Sequence, residues 1–102
     1  MKPVVFSKAA LADFREIGDH YAAAELTTAD RWLRAFQKLQ HEIQRRPTFG
    51  TTAHGERLGI EGLRHRQVPR FPYVVFYVER TDSVSIVRVL HERRDLETEL
   101  DE

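Results

Sequence analysis

The chain has 102 residues, no cysteine, and sixteen basic residues against sixteen acidic ones, so its formal charge is zero. That length suits one domain, spanning 1–102, able to bury roughly 65% of its unfolded surface. Lack of cysteine excludes a disulfide framework and thiolate metal sites, and neutrality argues against a general nucleic-acid binder, which is usually markedly basic.

In chain order, Val4-Val5-Phe6 predicts a short strand, and Ser7 after it a helix N-cap. Ser7 and Lys8 break this run too early for a signal sequence, and no stretch nears the ~20 apolar residues of a membrane span. A cytoplasmic protein without membrane attachment is expected. Ala10, Leu11, Phe14, Ile17 and Tyr21 follow at the three-and-four spacing of an amphipathic helix. Glu25-Leu26 should make the turn, and Thr27-x-x-Asp30 looks like a capping box opening a second helix. Its apolar stripe is Ala29, Trp32, Leu33, Phe36, Leu39 and Ile43, so Trp32 and Phe36 are read as core. Arg45 and Arg46 suit the negative end of its dipole, and Pro47 stops it. Two helices so closely joined predict an antiparallel hairpin.

Residues 50–62 carry four glycines and no periodicity, and read as a loop. Strands are predicted at 63–68, 73–79 and 84–91, with Thr81-Asp82-Ser83 turning between the last two. Leu96 and Leu100, four apart, could seat a final helical turn, within an acidic tail of Glu97, Glu99, Asp101 and Glu102. The fold class is α+β: an N-terminal strand, a helical hairpin, then three antiparallel strands, all forming one sheet packed on the hairpin. The strand at 73–79 is apolar on both faces, and such a strand needs cover on both sides. One hairpin covers one. Either Tyr73, Val75 and Tyr77 or Val74, Phe76 and Val78 should therefore form an exposed apolar stripe, the mark of an interaction site; the alternative is that Leu96 and Leu100 fold back over that face.

Several segments in this order resemble the toxin halves of bacterial ParE/RelE toxin–antitoxin pairs. They are Ala10, Asp13-Phe14, Ile17 and Tyr21 on the first helix, the Pro47-x-x-Gly50 break, Gly62-Leu63-Arg64, Phe71-Pro72-Tyr73-Val74-Val75-Phe76-Tyr77, and Val89-Leu90-His91-Glu92-Arg93-Arg94-Asp95. The Phe-Pro-Tyr strand start and the His-x-Arg-Arg-Asp ending look closer to ParE than to RelE. The resemblance implies a small toxin of a type II system, of the kind linked to plasmid stabilisation. It implies neutralisation by a cognate antitoxin, expected to be a ribbon-helix-helix ParD-like protein, in a hetero-oligomer. It also implies DNA gyrase as the target, with the messenger-RNA cleavage of RelE-like members as the alternative. Tyr73, Val75 and Tyr77, with Arg64, Arg66 and Arg88, are expected to receive the antitoxin. His91, Arg93 and Arg94 are expected to meet the target, and no sequence-specific DNA binding by this chain is expected.

Metal-free RNA cleavage needs a base, an acid, and cations for the phosphorane. Glu56 or His91 could serve as base or acid and Arg64, Arg66 and Arg88 as the clamp, Arg64 and Arg66 sharing a strand face by period two. The competing reading is that the arginines bridge carboxylates of the sheet or the antitoxin, and that His91 fixes the strand end. On that reading there is no catalytic residue. Neither His91 with Asp95 nor His41 with Glu42 makes a recognised ligand set, and Gly55, Gly59 and Gly62 are not a phosphate loop. No metal or other cofactor is expected.

Overall fold

The computed structural model describes residues 1–94 and 96–100, the side chains at 96 and 97 apart. Asp95, Asp101 and Glu102, which entered the sequence reading through the His-x-Arg-Arg-Asp ending and the acidic tail, lie outside the described residues. Strand β1 (Val4–Phe6) leads into helices α1 (Lys8–Ala24) and α2 (Leu26–Arg45), then a 3₁₀ turn (Pro47–Phe49) and helix α3 (Ala53–Leu58). Strands β2 (Leu63–Gln67), β3 (Tyr73–Glu79) and β4 (Val84–His91) follow, then helix α4 (Leu96–Leu100). The sheet order is β1-β4-β3-β2, with β1 parallel to β4 and the other pairs antiparallel. This is the expected α+β layout. The parallel pair exists because the helical hairpin returns the chain to the end at which β1 starts, Gln44 Nε2 near the close of α2 donating to Lys2 O at 2.7 Å, so β2 and, two reversals later, β4 run in the direction of β1.

Ser7 caps α1 as its sequence position suggests, its Oγ accepting from Ala10 N at 3.0 Å while donating to Val87 O at 2.8 Å. The second helix differs from expectation. It starts at Leu26, and the one extended residue Glu25 (φ −163°, ψ 124°) reverses the chain, its carbonyl accepting from Thr28 N and Ala29 N. Thr27 therefore lies inside the first turn, and its hydroxyl bonds the Glu25 side chain instead of capping.

The hairpin covers one face of the sheet. Ala10, Ile17, Trp32, Phe36, Leu39 and Ile43 pack on Val75, Tyr77, Val84, Ile86 and Val89, all buried. Each large side chain so buried contributes about 1.5–3 kcal/mol. A bulge sets the pattern on β4. Tyr77 pairs with Ile86 but Phe76 with Arg88, so Val87 is extra, and both Ile86 and Val89 turn to the hairpin.

The other face is covered as well. Leu63, Val74, Phe76 and Leu90 form a second cluster with Ile60, Val78, Val87 and Leu100 packed on it, and Phe76 is 0% exposed. The exposed stripe expected there does not exist. Part of the cover is α3, formed where a loop was expected, whose His54 ring packs on Phe76 and His65. Helix α3 is six residues, too short for an apolar period, and Gly59 ends it in the left-handed conformation (φ 70°). Gly55 lies buried within it, where a Cβ would come within 2.7 Å of Leu63 O.

Candidate functional site

Arg64 and Arg66 sit on edge strand β2, opposite Tyr77 and Val75, and so point to the hairpin face. Arg64 Nη1 donates to the carbonyls of Gly50 (2.9 Å) and Thr48 (3.1 Å), pinning the turn that follows α2. Tyr77 pins the same turn from inside. Its hydroxyl donates to Pro47 O at 2.8 Å and accepts from Gly50 N at 3.0 Å. Burial raises the Tyr77 pKa and keeps the phenol protonated, as a donor to Pro47 requires. Arg66 Nη2 pairs with Glu42 Oε2 at 3.0 Å, and the Arg46 and Arg66 guanidiniums lie 5.3 and 5.7 Å from the ring centre of exposed Phe49. Together with Arg45 these residues line a cleft of about 270 Å³.

Arg88 lies two strands away. Strand β1 ends at Phe6, which leaves the rest of β4 as a free edge, and Asp13 of α1 covers it. The Asp13 carboxylate takes Arg88 Nε at 2.8 Å, Arg88 Nη2 at 3.0 Å and Val89 N at 3.0 Å. Arg88 Nη1 lies 3.6 Å from Glu99 Oε2 of α4, whose other oxygen takes Arg94 Nη1 at 3.0 Å. His91 closes β4. Its Nδ1 accepts from Arg93 N at 3.0 Å, and its ring meets Tyr73 edge-on at 5.3 Å. Here α1 and the end of β4 bound a groove of about 410 Å³, whose lining includes Asp13, Glu16, His20, Tyr73, His91, Arg93 and Arg94.

The expected target-contacting residues His91, Arg93 and Arg94 thus come together on one groove. The expected antitoxin surface does not stand as a surface. Val75 is 1% and Tyr77 0% exposed, both inside the hairpin core, and only Tyr73 reaches a groove wall. The register turned this set toward the helices. The nuclease candidates are dispersed: Arg64 and Arg66 beside the α2 end, Arg88 and His91 beside α1, and Glu56 exposed on α3, bonded to Thr52.

The family model for the ParE toxin of type II toxin–antitoxin systems (parDE) matches residues 4–96. The chain belongs to the ParE toxin family. Among solved structures, this ParE-family chain is similar to one described as a chromosomal ParDE TA system from P. aeruginosa, with a TM-score of 0.62. Identity is 19% over 89% of this chain and 96% of that one, a likeness of fold. No curated protein matches the chain.

The sequence reading missed Asp13 as the partner of Arg88, and the charge grouping around Phe49. Asp13 sits one position before Phe14 on the apolar stripe, at the boundary where a carboxylate can reach a strand edge; that offset was the available signal. The Phe49 cleft joins residues from α2, the 3₁₀ turn and β2, and a pattern confined to one element cannot reveal it. Among the described residues no group of three or more His, Asp or Glu side chains is placed to hold a metal ion, and no helix is long and apolar enough to cross a membrane.

Proposed function

We infer that this ParE-family toxin acts in the cytoplasm by binding DNA gyrase, and is held inactive in a hetero-oligomer with a ribbon-helix-helix antitoxin of ParD type. The observation that carries a binding mechanism is how the five nuclease candidates are engaged. Arg64 holds two carbonyls, Arg66 holds Glu42, Arg88 holds Asp13, His91 Nδ1 takes a backbone N–H, and Glu56 stands apart on α3. Acid–base cleavage of RNA requires such groups around one phosphate. The groove holding His91, Arg93 and Arg94 is then the surface presented to the target, and exposed Arg93 supplies contact energy there. The antitoxin, with both sheet faces already covered, engages surfaces outside the sheet, such as the exposed Leu26 and Leu33 of α2 and Leu11 of α1.

Purified protein is expected to inhibit gyrase supercoiling and to leave messenger RNA intact on translating ribosomes. Codon-specific cleavage with supercoiling untouched would overturn the assignment. Co-expression with a ParD-type partner is expected to restore growth and yield a co-purifying complex.

A further inference from the structure

The neutral total charge conceals a segregation that the folded chain makes plain. Trp32, Phe36, Leu39 and Ile43 fix the buried side of α2. On the opposite side, Arg31, Arg34, Lys38, His41 and Arg45 recur at steps of three and four, and all are exposed. At 1.5 Å per residue this row runs about 21 Å along the helix. Its carboxylate neighbours stand at the margins. Asp30 pairs with Arg34 at 2.9 Å near the start, both partners well exposed, and Glu42 is turned toward Arg66. Lys38 and Arg45 have no ion pair among the described residues, and at the Arg45 end the row meets Arg46, Arg66 and the exposed Phe49 ring.

We propose that the outer face of α2 binds the phosphate backbone of nucleic acid without reading its sequence, with Phe49 available at one end to an unstacked base. Charge complementarity selects the occupant. A protein interface of this size has an apolar or aromatic centre and few charges there, whereas a phosphate-tracking surface is polar and positive along its length. The row holds no apolar side chain, and an aromatic ring flanked by guanidiniums at its end suits base stacking. Over 21 Å of duplex axis one strand presents about six phosphates, enough for every cation of the row. This inference does not depend on which macromolecule the toxin poisons.

The test is fluorescence anisotropy of a labelled 20-base-pair duplex of mixed sequence with the full chain, at 50 to 200 mM salt. Four permanent cations predict a slope of log K against log salt of about −3.6, so affinity drops by about two orders of magnitude across that range. The triple variant Arg34→Gln, Lys38→Gln, Arg45→Gln, all at exposed positions, is expected to bring the slope to about −1 and to weaken binding more than tenfold at 50 mM salt. Arg15→Gln on α1 should leave both unchanged, and unchanged thermal melts would confirm that the triple variant is folded. Absence of binding at 50 mM salt, a slope near zero, or wild-type binding by the triple variant overturns the proposal. Displacement of the duplex by poly-glutamate more readily than by unlabelled duplex of equal charge also overturns it, and assigns the row to an acidic protein.

Discussion

Tyr77 is where the inner strand β3 and the end of the helical layer are joined, through a hydroxyl that satisfies one donor and one acceptor of the same turn. Tyr77→Phe strands the Gly50 N–H and weakens Pro47 O, and is expected to cost about 1–3 kcal/mol. In a domain of this size that lowers the melting temperature by about 5–20 °C. Gly50→Ala should destabilise for a different reason, since its Cβ would lie 2.5 Å from the Tyr77 hydroxyl oxygen and 3.0 Å from His65 O. Because the hydroxyl is the nearest obstacle, Gly50→Ala should cost less in the Tyr77→Phe background, and a double-mutant cycle of urea midpoints reads that coupling. His65 gives a pH prediction. Burial, with neighbouring His54 and Arg57, lowers its pKa in the folded state. The unfolded chain therefore takes up the proton first, near the ordinary value of about 6.5. Stability should fall as pH drops below that value and level off below the lowered folded value. His65→Asn should flatten the part of the urea-midpoint profile between pH 7.5 and 5 that His65 causes; an unchanged profile would remove His65 from the account.

At the scale of elements, the free edge of β4 beyond Phe6 is met by the Ser7 hydroxyl at Val87 O and by the Asp13 carboxylate of α1 at Val89 N. Asp13→Asn keeps an acceptor for Val89 N but loses the charged, two-pronged bond to Arg88, and should cost about 1.5–3 kcal/mol. Arg88→Met should cost less in the Asp13→Asn background than alone, because by itself it leaves the largely buried Asp13 carboxylate without its cation, a charge that Asp13→Asn removes. Helix α3 owes its placement to two glycines that act differently. Gly59→Ala meets no neighbour but must hold a left-handed φ of 70°, a strain of about 1 kcal/mol. Gly55→Ala meets the carbonyls of Leu63 at 2.7 Å and Ile60 at 2.8 Å, backbone that cannot swing aside, and should destabilise more. Exchange of β2 and β3 amides with solvent, faster in Gly55→Ala, would report loss of the α3 cover.

Across the whole molecule, the helical face of the sheet, its opposite face and the end of β4 serve separate ends. The two faces are apolar cores closed by the chain itself, and the proposed target contact falls to the groove at the β4 end. Toxicity carried by contact energy should decline in graded steps. Arg93→Ala is expected to weaken gyrase inhibition by about 1–3 kcal/mol of binding, and Arg93→Ala with Arg94→Ala by more. His91→Ala should act mainly through stability, because its ring holds the turn after β4. A His91→Ala protein that melts like wild type yet is wholly inert would instead favour catalysis.

The sequence by itself determined the local elements. Periodicity marked both helices, Ser7 marked the first cap, and the three late strands were legible because alternation and turn residues are properties of neighbours in the chain. The family resemblance was legible for the same reason. Only the tertiary structure decided the faces. A one-residue change of register exchanges the two sides of a strand, so the apolar run 73–79 could not say that Val75 and Tyr77 go to the helices and Val74 and Phe76 to the other side. Nor could it show that α3 and Leu100 close that side, since α3 has no period long enough to read. Whether an arginine is engaged or open was decided there too. The partners of Arg64, Arg66 and Arg88 lie 11 to 75 positions away, and only folding sets such distances.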